Sequence, residues 1–152
     1  MIEKIVSGGQ TGVDRAALDA AIQQGVPIGG WCPEGRLADD GPIDNRYPLQ
    51  EVADTDHTVR TEFNVRDSDG SLMIYRDKLH GGTAYALEMA KRMAKPVMAV
   101  NLDDSPDPKE LIKWIKQNEL KTLHIGGQRE DTSPGIYGIS LALITQIIEG
   151  AR

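Results

Sequence analysis

The chain has a single cysteine, Cys32, among its 152 residues. One thiol cannot form an internal disulfide or supply a cysteine-rich metal cage, and it suits the reducing interior of a cell. We expect Cys32 to be a small buried side chain, because free cysteine is among the most buried residue types.

Aromatic residues are also scarce, with one Phe, two Trp and four Tyr. Proteins that bind single-stranded nucleic acid use aromatic side chains as stacking platforms, and this chain offers few of them. Its formal net charge of -6 at pH 7 also opposes association with a polyanion. We therefore expect no nucleic-acid partner.

Long apolar runs are missing as well. A membrane-spanning helix needs roughly 20 apolar residues, and a secretory leader joins a basic segment to a shorter apolar one. The sequence has neither pattern, so we expect a cytoplasmic protein without membrane contact. Hydrophobic residues at 39% and charged residues at 26% are ordinary for a globular protein, and we expect residues 1–152 to form one domain.

What the chain does contain is a regular alternation of short apolar segments with helical patterns. Strands are predicted at 5–7, 28–31, 72–75, 97–100 and 122–125. Helices are predicted at 13–24 and 60–66, from 83 to 94, and after the capping pairs Asp107-Pro108 and Ser133-Pro134. Alternation of this kind is typical of βαβ units. The sequence therefore predicts an α/β fold with a mainly parallel sheet of about five strands between helical layers.

The segment 32–50 breaks this rhythm, since it is rich in Gly, Pro and Asp and has no periodicity. Loops longer than about 12 to 15 residues are usually functional or disordered. Two interpretations stay open: a lid or ligand-contacting arm, and a surface connection packed by Tyr47 and Leu49.

A double glycine follows three of the five predicted strands: Gly8-Gly9, Gly81-Gly82 and Gly126-Gly127. One such turn is weak evidence, because glycine serves any tight strand-to-helix connection. In an open α/β sheet, however, these turns share one edge, and ligands bind in the crevice outside the strand ends. Three together indicate a binding site at the carboxyl edge of the sheet.

The loop at 8–12 has the composition of an anion cradle. It offers backbone N–H groups without bulky side chains, the Thr11 hydroxyl and the positive end of the next helix. Neither a P-loop nor the usual dinucleotide fingerprint is present. Thr83 stands at a second helix start of the same kind, and each terminus favours an anion by roughly 0.3 to 1 kcal/mol. We therefore expect a phosphate-bearing small molecule as ligand.

Four arginines stand near these loops and could hold an oxyanion: Arg15, Arg36, Arg60 and Arg129. We select Arg129 because it follows Gly127-Gln128 directly at a strand end. The predicted ligand-binding residues are Gly8, Gly9, Gln10, Thr11, Gly12, Gly81, Gly82, Thr83, Gly127 and Arg129.

Three acids, Asp14, Asp67 and Asp69, are placed closest to the predicted crevice. A carboxylate pair could serve as general acid and base in cleaving an N-glycosidic bond. Each also has a local structural role, at a helix start or in a turn. No Ser-His-Asp or Cys-His order is visible, so we assign no catalytic residue.

The three histidines, His57, His80 and His124, have no metal-ligand spacing among themselves or with Cys32. Structural or solvent-facing roles are the expectation for each of them. We accordingly assign no metal-binding residue.

Several motifs in combination make the chain resemble the putative molybdenum carrier family, bacterial relatives of the molybdenum cofactor carrier protein of algae. They are GGQTGVDRAALD at 8–19, RTEFNVRDSDG at 60–70, GGT at 81–83, GGQRE at 126–130 and PGI at 134–136. The fourth motif departs from the family's Ala-Gly-Pro-Arg-Glu form at Gly126 and Gln128.

This resemblance implies a Rossmann-like three-layer domain, shared with the lysine decarboxylase-like proteins and the DNA-processing protein DprA. It implies binding of molybdenum cofactor, a pterin with a terminal phosphate whose dithiolene sulfurs hold the metal. It also implies a homo-oligomer. Shared fold does not carry shared activity.

An alternative function is hydrolysis of a nucleotide monophosphate, as in the phosphoribohydrolases of the wider group. Their signature, Pro-Gly-Gly-x-Gly-Thr-x-x-Glu, is incomplete around His80-Gly81-Gly82-Thr83, although Glu88 lies on the following helix. We therefore expect a non-catalytic binding protein rather than an enzyme.

Overall fold

Five parallel strands form the central sheet of the protein, whose computed structural model describes residues 1–152. They are β1 Lys4–Val6, β2 Ile28–Gly29, β3 Gly70–Tyr75, β4 Val97–Asn101 and β5 Thr122–Gly127. Their order across the sheet is β2-β1-β5-β3-β4, and every neighbouring pair is parallel. The predicted α/β fold with a five-stranded parallel sheet is confirmed.

Five α-helices cover the two faces of this sheet in a Rossmann-like three-layer arrangement. They are α1 Val13–Gln23, α2 His57–Arg66, α3 Gly81–Arg92, α4 Pro108–Gln117 and α5 Ile136–Ala151. Helices α1 and α4 pack against α5, whereas α2 packs against α3. None of the helices has the length and apolar character that crossing a membrane requires.

The two faces of the sheet carry hydrophobic cores of unequal size. Leu72, Ile74, Leu123 and Ile125 join a core of 22 buried residues with α1, α4 and α5. The apolar cluster formed by α2 and α3 contains only three buried residues. Because strand residues alternate between faces, the positions between those core residues point toward α2 and α3. That side therefore has room for polar side chains and a cavity.

The chain leaves neighbouring strand ends in opposite directions. Strand β1 continues into α1 on one face, and β3 continues into α3 on the other, with β5 between them. A crevice opens at the carboxyl edge of an α/β sheet where successive connections diverge in this way.

The second predicted strand, 28–31, is divided in the structure. Strand β2 stops at Gly29, and Trp31–Cys32 instead pairs in parallel with Gln50–Glu51. The cause is Gly30, which has a φ of 133° and approaches Ser7 so closely that a Cβ would lie 2.2 Å from the Ser7 carbonyl oxygen. Only glycine fits this bend.

Tyr47 and Leu49 pack the segment 32–50, as the second of the two interpretations predicts, whereas a ligand-contacting role for it stays a prediction. It contains a short 3₁₀ turn, Glu34–Arg36, and a small antiparallel pair, Leu37–Ala38 with Gly41–Pro42. Tyr47 and Leu49 are buried in a second cluster with Leu18, Ile43 and Cys32. The Arg36 guanidinium donates hydrogen bonds to four backbone carbonyls of the segment.

Helix α2 begins at His57, three residues before its predicted start at Arg60. Asp56 caps the helix, since its side chain accepts a hydrogen bond from the Thr58 N–H at 2.9 Å. This earlier start brings His57 and Thr58 to the sheet edge.

Helix α5 begins at Ile136 rather than directly after Ser133-Pro134, because Gly135 adopts the left-handed conformation before it. Ile139 recurs with Leu143 and Ile147 at a spacing of four residues, which suggests a shared inward face, but Ile139 is 47% exposed. In a helix of 3.6 residues per turn, residues four apart are displaced from each other by about 40° around the axis. Ile139 is therefore displaced by about 80° from Ile147 and leaves the buried face.

Candidate functional site

A cavity of about 430 Å³ lies at the carboxyl edge of the sheet, beneath α2 and α3. Met73, His124 and Gly126 form its floor from the strands. The first turns of α2 and α3 contribute its roof, and Gln10 and Arg129 come from the loops after β1 and β5. Nearly all of its lining residues are polar or glycine, which suits a polar ligand rather than an apolar one.

The first turn of α3 points unbonded donors at this cavity. The backbone N–H groups of Gly81, Gly82 and Thr83 donate to no acceptor in the protein, and His80, the N-cap residue, provides no side-chain cap. A Cβ on Gly82 would meet nothing within 4 Å. A helix terminus of this kind favours an anion, because its N–H groups and its dipole act in the same direction.

Arg60 extends from α2 into the wall of the cavity. Its Nη1 lies 3.0 Å from Asp14 Oδ2, and the two side chains are only 14% and 6% exposed. The Arg60 Nε atom is buried without any hydrogen-bond partner. Gly8 makes this placement possible, since a Cβ there would lie 1.6 Å from Arg60 Nη1. Arg60 Nη2 donates to no acceptor in the protein either, so the guanidinium keeps unpaired donor capacity beside the cavity.

His124 is the most deeply buried histidine, with 4% of its surface exposed. Its Nδ1 lies 3.0 Å from Ser71 Oγ, whereas Nε2 has no hydrogen-bond partner and the residue lines the cavity. Burial, with a smaller contribution from the charge of Arg60, lowers the pKa of His124 to about 3. The imidazole is therefore neutral at physiological pH.

The cavity is locally positive although the whole chain is acidic. Its charged lining residues are two arginines, Arg60 and Arg129, and one acid, Asp14. Desolvation, followed by the charges of Arg60 and Arg129, lowers the pKa of His57 at the same wall. Distant exposed acids are screened over about 8 Å, so these local groups determine the electrostatic potential inside the cavity.

The loop at 8–12 is packed against protein rather than open to solvent. Gly9 has a φ of 79°, and a Cβ there would lie 2.6 Å from Leu49 Cδ1. A Cβ on Gly12 would lie 2.4 Å from the Gln128 carbonyl oxygen. Thr11 accepts a hydrogen bond from the Glu130 N–H at 3.3 Å. Gln10 is the residue of this loop that lines the cavity directly.

The loop after β5 divides between packing and the cavity. Gly127 lines the cavity and also permits close packing, since a Cβ there would lie 2.1 Å from the Ile74 carbonyl oxygen. Gly126 lines the cavity floor, where atoms of Met73, Asp14 and His124 lie 3.0 to 3.4 Å from the position of a Cβ. Arg129 lines the cavity mouth, with its side chain 51% exposed and its Nη1 3.3 Å from Asp39.

The placement of Asp67 and Asp69 closest to the crevice is wrong. Both precede β3 and so lie at the amino end of that strand. Asp67 accepts hydrogen bonds from Trp31 Nε1 and Arg66, and Asp69 accepts from two backbone N–H groups at the start of β5. Glu88 is exposed and pairs with Arg92. Asp14 is the only carboxylate that lines the cavity.

A second cavity lies on the other side of the loop at 8–12, lined by Thr11 and Gly12 together with charged residues. Within its wall, Asp19 accepts hydrogen bonds of 2.5 Å from the hydroxyls of both Tyr47 and Tyr137. No group of three or more His, Cys, Asp and Glu side chains is arranged to hold a metal ion.

Comparison with known proteins identifies the family. The family model described as "Circularly permutated YpsA SLOG family" matches residues 5–148. The chain belongs to this family.

One similar solved structure is the "Putative molybdenum carrier protein" from Syntrophus aciditrophicus SB. It is 40% identical to this YpsA-family chain, with a TM-score of 0.91 over 97% of this chain and 95% of that one. No curated protein gives a significant match. The predicted resemblance to molybdenum carrier proteins is confirmed at the level of the family.

Three residues that shape the cavity of this YpsA-family chain were absent from the ligand-binding set predicted from the sequence. Arg60 was considered only as one of four arginines, and His124 and Gly126 were not selected. A signal for His124 does exist, since it is a polar residue between Leu123 and Ile125 in a strand. Its contact with Ser71 spans 53 positions and cannot be found from local pattern.

Proposed function

We propose that the protein binds molybdenum cofactor in the cavity beneath α2 and α3, with the cofactor's phosphate at the first turn of α3. The observation that carries this proposal is the set of three unbonded N–H groups at Gly81, Gly82 and Thr83. The likeness to a protein named as a molybdenum carrier supports the choice of ligand.

The size and chemistry of the cavity suit a pterin with a phosphate. Small-molecule sites commonly enclose about 300 to 1,000 Å³, and this cavity measures about 430 Å³. Besides the α3 donors and Arg60, Thr58 and Thr132 line it with hydroxyl-bearing side chains. Those groups would bond the polar edges of the ring system.

Molybdenum would travel as part of the cargo, held by the dithiolene sulfurs of the cofactor. The protein would therefore hold the organic part, through N–H groups, the guanidinium and hydroxyls. Such binding needs no thiolate or imidazole cage.

The charged groups of the cavity favour binding of the cofactor without catalysis. Helix termini stabilise a bound phosphate equally before and during a reaction, and uniform binding does not accelerate chemistry. The only acid on the wall, Asp14, is already paired with Arg60. The hydrolase alternative therefore has no acid and base pair in the cavity to support it.

The test is Gly82→Asp, with Gly138→Asp as its matched control. Both glycines lie in the first turn of a helix and have open space around a Cβ, but only Gly82 lines the cavity. We expect Gly82→Asp to weaken binding of metal-free molybdopterin at least tenfold, about 1.4 kcal/mol, because the new carboxylate repels the phosphate.

Binding is measured by titrating the purified protein and following pterin fluorescence. Gly138→Asp should bind like the parent. Equal affinity in Gly82→Asp and the parent would contradict the proposed phosphate position.

A further inference from the structure

Two polar atoms of buried residues lie at the floor of the cavity without hydrogen-bond partners in the protein. Asp14 is 5% exposed and His124 is 4% exposed. The Asp14 Oδ2 atom is engaged by Arg60, but Oδ1 accepts no hydrogen bond, and His124 Nε2 is also free. Both free atoms lie 3.4 Å from the point where a Cβ on Gly126 would sit, and the Met73 Cε methyl lies 3.0 Å from it. Glycine adds no atom of its own at this crowded point, and both polar atoms belong to residues that line the cavity.

The hydrogen-bonding role of His124 follows from Ser71. Ser71 is 1% exposed, and its hydroxyl has no partner other than His124 Nδ1. A buried hydroxyl hydrogen requires an acceptor, so Ser71 donates to Nδ1 of the neutral ring. The ring proton therefore resides on Nε2, and His124 presents an N–H donor to the cavity floor.

The floor thus places one donor, His124 Nε2–H, beside one acceptor, Asp14 Oδ1. We propose that this pair binds the lactam edge of the ligand's heterocycle, in which a ring carbonyl oxygen accepts from His124 and the adjacent ring N–H donates to Asp14. Pterins and guanine have such an edge. The inference rests on the proposed function for the orientation of the ligand, with the heterocycle inward and the phosphate at α3.

Each partner of the pair is held in place by a second residue. Arg60 fixes the Asp14 carboxylate through Oδ2, and Ser71 fixes the tautomer of His124. Removal of either free atom would leave a buried ligand group without a partner, which weakens binding. The pair would therefore determine specificity for the heterocycle independently of the phosphate.

The experiment titrates pterin and 3-methylpterin, which lack the phosphate, into protein labelled with ¹⁵N at histidine. The methyl group removes the ring N–H that would donate to Asp14. We expect the free protein to show His124 with its proton on Nε2, and pterin to shift that signal at concentrations where 3-methylpterin does not. A proton on Nδ1, or equal shifts with the two compounds, would overturn the proposal.

Two variants separate the donor from the packing role of His124. His124→Gln keeps an N–H donor near the Nε2 position, whereas His124→Leu removes it. We expect His124→Leu to bind molybdopterin at least tenfold more weakly than His124→Gln, with inorganic phosphate bound equally by both. Equal molybdopterin affinities would refute the lactam contact. A loss confined to Gly82→Asp would leave the phosphate position intact and the lactam contact refuted.

Discussion

Glycine has two different uses at the edge of this sheet. Gly12 and Gly127 allow backbone segments to approach, since a Cβ on either would lie within 2.4 Å of a carbonyl oxygen. Gly82 has nothing within 4 Å of a Cβ, and it faces the cavity. The sequence shows the same letter for both uses, so the division between packing and ligand access emerges only from the structure.

Gly8 has a third use, because it makes space for a side chain. Its φ is not in the left-handed region, so Gly8→Ala causes no backbone strain, but the new Cβ would occupy the position of Arg60 Nη1. We expect the free energy of unfolding to fall by about 1 to 3 kcal/mol, since Asp14 would remain buried without its ion-pair partner.

The loss in Gly8→Ala is measured by urea denaturation. The control is Gly138→Ala, at an open helical position, which should match the parent or exceed it by up to about 1 kcal/mol. A Gly8→Ala protein as stable as the parent would show that Arg60 does not depend on this space.

Among the secondary-structure elements, the Asp19 carboxylate of α1 joins α1 to both the segment 32–50 and α5. It accepts hydrogen bonds from Tyr47 in the segment and Tyr137 in α5. Burial, together with the bond to Asp19, raises the pKa of each tyrosine to about 12. These bonds hold the loop that supports one side of the crevice.

This tie predicts a loss of stability at high pH. The unfolded tyrosines lose their protons near pH 10, whereas the folded ones retain them to about pH 12. The folded state therefore binds more protons in that window, and stability falls as pH rises through it. Below pH 10 the contribution is complete.

We expect Tyr137→Phe to be about 1.5 to 3 kcal/mol less stable than the parent at pH 8, because a hydrogen bond to a carboxylate is lost. Its further loss between pH 10 and pH 12 should be smaller than that of the parent, since one titrating group has been removed. Urea midpoints at pH 8, 10 and 11.5 check both statements. Parallel pH profiles for the two proteins would contradict the raised pKa.

The sequence predicted the elements well and their long-range contacts poorly. Strands and helices follow from local apolar patterns, and the shared edge of the glycine loops follows from parallel strands. Helix α2, however, reaches the crevice after a long connection, and the Arg60 to Asp14 contact spans 46 positions. The same limit explains Asp67 and Asp69, whose proximity to the crevice was judged from neighbouring motifs.

For the whole molecule, the net charge gives little information about the ligand. The chain carries a formal charge of -6, yet the cavity beneath α2 and α3 is lined by two arginines, one aspartate and two helix termini. The anionic ligand that we propose would be held by donors within a few ångströms, where screening is weak. The cytoplasmic location and the homo-oligomer stay predictions.

Anomalous X-ray diffraction at the molybdenum absorption edge tests the central claim most directly. Crystals of the protein grown with molybdenum cofactor should give an anomalous peak inside the cavity bounded by Gly82, Arg60 and His124. A peak in the second cavity beside Arg15 and Asp19, or the absence of any peak, would contradict the claim that the first cavity holds the cofactor.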